Sequence, residues 1–225
     1  MKKRLVIFGA GGFGREVLQL IRDINESVST WECEGFLVDS KYAKAGRIVQ
    51  GLPILGDLDW LIQNPEVYLV IAVGSPPARR QIALRASQIC KIPFATLVHP
   101  RAWIGEYVKI GEGSIICAGA MITTDIQIGR HVQINTGATI GHDAILEDFV
   151  TVYSSVNITG NVKLEEGVEV GTSAVLIPRT SVGCWSIIGA GSIITKSIYS
   201  NVTAVGSPAK AIKERAPGWH ERQDA

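Results

Sequence analysis

An excess of charge of either sign is missing: 22 Lys and Arg face 21 Asp and Glu, leaving a net charge of +1. Such a balance gives no field for gathering nucleic acid or an anionic membrane surface. No apolar stretch reaches the length of a membrane span. Cysteine is sparse, and Cys33, Cys90, Cys117 and Cys184 form no C-x-x-C pair. Spacing therefore supports no zinc site, and a disulfide framework is not expected in a chain of 225 residues. A reduced, cytoplasmic protein is the expectation. The opening Met1-Lys2-Lys3-Arg4 lacks a cleavage pattern beyond its apolar run and reads as the polar lead into a first strand.

What the chain does have is a beat of six. From Val98 through Ile104, Ile110, Ile116 and onward to Ile194, seventeen successive sixth positions are Val, Ile or Leu without a slip. Six fits neither the 3.6-residue turn of a helix nor the two-residue alternation of a strand. It fits a hexapeptide solenoid, in which each face of a triangular prism takes one hexad and turns one aliphatic residue inward. Three faces make a coil, so the repeat supplies about five to six coils. Glycine often follows the aliphatic, as at Gly105, Gly111, Gly129 and Gly141, and is expected to serve the tight corner. Small residues four places on, such as Ala138 and Ala144, suit a narrow interior.

Ahead of the repeat, Arg4 to Phe8 reads as a buried parallel strand. Gly9-Ala10-Gly11-Gly12-Phe13-Gly14 follows, then a helix with Val17, Leu18, Leu20 and Ile21 on one side. Strand, glycine turn and helix make the first half of a βαβ unit, whose turn favours anionic oxygens. A second strand, Gly35 to Val38, ends at Asp39. The G-x-G-x-x-G pattern raises a dinucleotide reading. Against NAD stand the late position of Asp39, a sheet with room for only about one mononucleotide half, and no site for a hydride acceptor. A nucleotide or nucleotide sugar is the expected ligand. Lys41 to Asp57 reads as a polar connection, Asp59 to Ile62 as a short helix, Val67 to Val73 as a third strand, and Ala78 to Cys90 as a helix with Ile82, Leu84, Ala86 and Ile89 on its apolar side. The expected domains are 1–97, Rossmann-like α/β, and 98–225, a left-handed parallel β-helix closed by Val205-Gly206-Ser207-Pro208-Ala209-Lys210 and a short C-terminal helix through Arg215.

Among four histidines, His142 stands just past a corner glycine with Asp143 directly after it. A neutral imidazole suits a general base, and an adjacent carboxylate can orient it and stabilise the cation. Residues 18 apart stack on consecutive coils, so Gly160 shares the corner of His142. His131 reads as a solvent-facing strand-edge residue, His99 as unremarkable, and His220 as part of a loose tail. No close histidine pair exists to hold a metal.

The N-terminal GAGGFGREV, the NTGATIGHD stretch from Asn135 to Asp143, the unbroken hexads and the closing VGSPAK resemble one bacterial family. These are the hexapeptide-repeat acetyltransferases of nucleotide-linked amino sugars, such as bacillosamine and perosamine precursors, with proteins assigned as sialic acid O-acetyltransferases beside them. The resemblance covers nearly the whole chain. It implies a homotrimer with acetyl-CoA along the solenoid between subunits. By the same resemblance His142 is the catalytic base, Asp143 the carboxylate behind it, and the Gly160 backbone the thioester contact. Thr151, Thr172 and Ala190 align with further acetyl-CoA contacts. Nucleotide-sugar contacts fall on Gly11, Gly12, Phe13, Val38, Asp39, Ser75 and Pro76. The family often has His where Phe13 stands and Asn where Pro76 stands, which leaves the acceptor open. N-acetyl transfer without an acyl-enzyme is the expected reaction. O-acetylation of a sugar hydroxyl, a non-catalytic nucleotide-binding trimer and an NAD oxidoreductase are the alternatives.

Overall fold

A computed structural model describes residues 2–42, 45–89 and 91–221. The chain forms two compact units, one of Met1–Gly74 with Ala78–Pro100 and one of Ser75–Pro77 with Arg101–Ala225. Part of the helix expected over residues 78–90, at Cys90, lies outside the described residues, as do 222–225 of the tail.

In the first unit, β1 (Lys3–Phe8), β2 (Trp31–Leu37), β3 (Ile48–Val49), β4 (Leu52–Gly56) and β5 (Tyr68–Ile71) form one sheet in the order β3-β4-β2-β1-β5. The pairs β1–β2, β1–β5 and β2–β4 are parallel. Leu5, Val6, Ile7 and Phe8 are all buried, as a strand covered on both faces requires. Helix α1 (Gly12–Ser27) buries Val17, Leu18, Leu20 and Ile21, the four residues whose spacing announced it. It starts close against β1: a Cβ on Gly14 would lie 1.9 Å from the Gly9 carbonyl oxygen. Helix α2 (Pro76–Ile89) buries Ile82, Ala83 and Ala86, whereas Leu84 is exposed rather than on the apolar side.

The stretch expected as a polar connection contains an antiparallel hairpin, β3–β4, in register Val49↔Leu52. Its two turn residues, Gln50 (φ 46°) and Gly51 (φ 86°), both have positive φ, as a primed hairpin turn demands. Apolar Ile48, Val49 and Leu52 to Leu55 around that turn were the signal. The expected helix over 59–62 is a 3-10 helix, Leu58–Gln63, capped by the Asp57 side chain.

In the second unit two-residue strands recur every six residues and pair only in parallel. Each register places a residue against its partner one coil later, as in Ile122↔Ile140↔Ile158↔Leu176↔Ile194. This is the left-handed parallel β-helix, with its sheets on three faces. From Ile116 to Ile194 the sixth-position aliphatics are buried, each contributing about 1.5–3 kcal/mol of transfer free energy. Ile104 and Ile110, in the first hexads, are only half-buried.

The corners differ from expectation. The glycine after each aliphatic does not carry the turn. Gly105, Gly111, Gly141 and Gly171 have no positive φ, and a Cβ on them would lie 2.3–2.6 Å from backbone atoms of the next coil. They permit close approach between coils. The left-handed residue stands three places after the aliphatic, at every sixth position from Tyr107 to Gly191, and ten of these fifteen are not glycine, with φ from 54° to 63°. Each such residue costs about 1–2 kcal/mol of backbone strain. Hydrogen bonds to the coil before, such as Asp143 N–H to Thr124 O (3.2 Å) and Phe149 N–H to Arg130 O (2.9 Å), hold them there.

The helix expected through Arg215 is a strand. Ala209–Glu214 pairs antiparallel with Val202–Gly206, which itself pairs in parallel with Ile187–Ile188 and so extends a face of the solenoid. The Ala-Lys-Glu composition favours a helix, but an open strand edge beside it outweighs that weak propensity. Exposed Lys210 and Lys213 then blunt the new edge. The only helical turn of this closing segment, among the described residues, is the 3-10 turn Trp219–Glu221.

Candidate active site

His142 and Asp143 occupy one corner of the solenoid. Successive extended residues point to opposite sides, which would separate an adjacent His and Asp. The left-handed conformation of Asp143 (φ 58°) breaks that alternation. Its Oδ2 lies 2.7 Å from His142 Nδ1, with both side chains more than half exposed. With the carboxylate accepting from Nδ1–H, the tautomer leaves the lone pair on Nε2. That nitrogen sits over Gly160 of the next coil, where a Cβ would lie 2.5 Å from Nε2 and 2.6 Å from Cε1. Any larger residue at 160 would displace the ring. The stacking of these two positions, expected from the period alone, is present.

Thr172 and Ala190 are exposed and stand on another corner, one coil apart from each other. Within this unit they are not brought to His142. Thr151 is wholly buried and offers no surface to a ligand.

In the first unit the loops after β1, β2 and β5 lie at the C-terminal edge of the parallel sheet, where open α/β sheets bind ligands. Gly11 caps α1 and Gly12 begins it, both exposed, with Phe13 half-buried beside them. Val38 and Asp39 follow β2, and Asp39 Oδ1 accepts a hydrogen bond from Arg85 Nη2 at 2.9 Å. Ser75 and Pro76 cluster with the second unit, and Pro76 is buried.

Several residues escaped the sequence reading. His131 is buried, not solvent-facing: it occupies the left-handed corner position and stacks on Phe149 at 5.2 Å. His220, set aside as tail, stacks on Trp185 with ring centroids 3.8 Å apart. His99 is buried with Nε2 2.8 Å from Asp23 Oδ2. Arg79 is wholly buried and donates to the carbonyls of Val73 and Gly74. Nothing in local spacing marks these four; each is placed by packing. Burial pushes the Cys33 thiol up to about 11, which keeps it protonated and a poor nucleophile. Among the described residues no group of three His, Cys, Asp or Glu is placed to hold a metal ion.

Residues 4–86 match the family described as the PglD N-terminal domain. GDP-perosamine N-acetyltransferase of Escherichia coli O157:H7 is 29% identical over 224 residues, spanning 94% of this chain and 96% of that protein. PerB from Caulobacter crescentus, solved in complex with CoA and GDP-perosamine, superposes with a TM-score of 0.84 at 27% identity, covering 93% of this chain and 97% of the other. Over nearly its whole length the chain is similar to nucleotide-sugar acetyltransferases. The acetyltransferase domain of PglB from Neisseria gonorrhoeae FA1090, in complex with acetyl coenzyme A, gives 0.83 at 28% identity over 94% of this chain and all of that one. An acyltransferase activity goes with that similarity, and the His142 corner is its candidate centre.

Proposed function

We propose that this acetyltransferase moves an acetyl group from acetyl-CoA to the amine of a nucleotide-linked amino sugar. The observation that carries the reading is the open Nε2 of His142, oriented through Nδ1 by Asp143 and seated on Gly160. A neutral sugar amine attacks the thioester carbonyl carbon. His142 Nε2 takes the proton released as the C–N bond forms, and Asp143 stabilises the imidazolium. The tetrahedral intermediate collapses with loss of the C–S bond, and the imidazolium returns the proton to the departing thiolate. The Gly160 backbone is our candidate donor to the developing oxyanion. No step needs an enzyme nucleophile, and the high pKa of Cys33 agrees with that.

Relatives that bind CoA and GDP-perosamine support this choice of donor and acceptor. Two solved forms of the Caulobacter crescentus enzyme carry a replaced histidine with both ligands bound, which supports a histidine in the chemistry. We assign the nucleotide sugar to Gly11, Gly12, Phe13, Val38, Asp39, Ser75 and Pro76, and acetyl-CoA to Gly160, Thr172 and Ala190, with Thr151 supporting that wall from inside. Because Thr172 and Ala190 stand on a different corner from His142, a neighbouring subunit of a homotrimer is the proposed second wall of the cofactor groove. No helix among the described residues is long and apolar enough to cross a membrane, and we place the reaction in the cytoplasm, where acetyl-CoA is made.

Incubation with acetyl-CoA and UDP-, GDP- and dTDP-linked 4-amino sugars, read by mass spectrometry, tests the reading. One acceptor gaining one acetyl group is the expected result. Acetyl-CoA binding without transfer to any amino sugar would move the acceptor to a hydroxyl. Failure to bind acetyl-CoA would overturn the proposal.

A further inference from the structure

Arg79 is the largest wholly buried side chain, and the chemistry above makes no use of it. A guanidinium taken out of water costs several kcal/mol unless its donors are satisfied, so its retention asks for a reason. It sits in the first turn of α2 and reaches back past the start of the helix. Nη1 donates to two successive carbonyls, Val73 O at 2.8 Å and Gly74 O at 2.9 Å. Those carbonyls belong to the loop leaving β5.

That loop bears directly on the glycine turn. A Cβ on Gly9 would lie 2.8 Å from Ala72 O and 3.4 Å from Val73 Cγ2, so the two loops leave no room between them even for a methyl group. Gly9 N–H in turn donates to Leu37 O at 2.8 Å, at the end of β2. A shift of the Val73 and Gly74 carbonyls would push Val73 against Gly9 and pass on to the loops on either side. From further along α2, Arg85 fixes the Asp39 carboxylate of the loop after β2. One helix thus sends a guanidinium to two of the three loops that follow β1, β2 and β5.

We infer that Arg79 is a positioning residue for the acceptor: by fixing the Val73–Gly74 carbonyls it sets the spacing between the β5 loop and the glycine turn that a nucleoside diphosphate must fit. This inference rests on the nucleotide-sugar reading above. Lysine at 79 keeps the positive charge but loses the rigid planar fork, and methionine loses both.

The test compares Arg79→Lys and Arg79→Met with the unaltered chain, after thermal melts establish that each is folded. Binding of UDP, GDP and dTDP is measured by calorimetry, and KM is measured separately for the amino-sugar nucleotide and for acetyl-CoA. Loss of one charge-assisted hydrogen bond corresponds to a rise on the order of tenfold. That rise is expected in the nucleotide-sugar KM and in the nucleoside diphosphate Kd for Arg79→Lys, with a larger one for Arg79→Met and an acetyl-CoA KM within about twofold of the original. Equal rises in both KM values would reduce Arg79 to a purely structural role and overturn the inference. Unchanged binding in Arg79→Lys overturns it too, while leaving the nucleotide-sugar reading intact. If the unaltered chain binds none of the three nucleotides, the acceptor reading itself falls, and Arg79 with it. Should Arg79→Met fail to fold, Arg79→Lys alone decides.

Discussion

His131 and His142 stand on the same solenoid, each within two places of a glycine that follows an inward aliphatic, yet they meet opposite fates. His131 holds the left-handed position of its hexad, and its ring lies flat on the chain: a Cβ on Gly113 would be 2.4 Å from its Nδ1, and Phe149 stacks on it one coil later. His142 stands one place earlier in its hexad. Its ring leans onto Gly160 instead and keeps more than half of its surface in water. One place in a six-residue period decides whether an imidazole is packed away or left open to a ligand. Residue type alone does not.

The sharpest way to use that difference is to remove each ring. His142→Ala should leave the fold intact and lower kcat by a factor on the order of 10² to 10⁴, the usual share of a general base. Steady-state kinetics beside a circular dichroism melt checks both halves. His131→Ala should do the reverse, losing about 1–3 kcal/mol of stability through the emptied stack while retaining turnover. A matching loss of turnover in His131→Ala at a temperature where it is folded would erase the distinction between the two positions.

The glycines beneath the rings sharpen the comparison further. At Gly167 the φ is 67°, and a Cβ would lie 2.2 Å from the buried Trp185 indole, on which His220 stacks. Neither ring has room to move. Gly167→Ala should therefore cost about 3 kcal/mol, from left-handed strain and overpacking together, and show as a lower urea midpoint. Gly160 has no positive φ, and the atom its Cβ would meet is the end of an exposed side chain. Gly160→Ala should melt within a few degrees of the original yet lose about tenfold or more in kcat as the imidazole swings off its seat. Thermal melts and kinetics on the two variants give a crossed pattern if the reading is right. A stable Gly160→Ala enzyme of undiminished rate would show that the seat does not position the base.

Much of this was legible in the sequence, for a physical reason. An inward aliphatic every sixth residue is a long-range periodic demand, and seventeen repetitions leave no other register. The His142–Gly160 stack followed from the same arithmetic. Where a single packing contact decides, the sequence was silent. The turn at Gln50-Gly51 was hidden because Gln is not a usual left-handed residue, and the helix-prone stretch Ala209–Glu214 yielded to an open strand edge. The corner glycines misled in a different way: glycine serves both sharp turns and close approach, and only the φ values tell the two apart. Burial of His99 and His220 depends on Asp23 and Trp185, far away in the chain, which no local pattern reports.

The effect furthest from the reaction concerns cysteine. The thiol of Cys33 is raised to about 11 by burial, against an ordinary value of 9.0. The thiolate is the form that alkylates, so at pH 8 Cys33 should react with iodoacetamide about a hundredfold more slowly than an unfolded control, one decade per unit of pKa. Mass spectrometry of timed samples measures it. The sign for stability follows from the same shift. As pH rises from 9 toward 11 the unfolded chain releases this proton while the folded chain keeps it, so folding is disfavoured there and untouched below pH 8. Fast alkylation of Cys33 in the folded protein at pH 8 would mean that this thiol is open and could serve as a nucleophile. The direct attack assigned to the His142 corner would then have a competitor in the α/β unit.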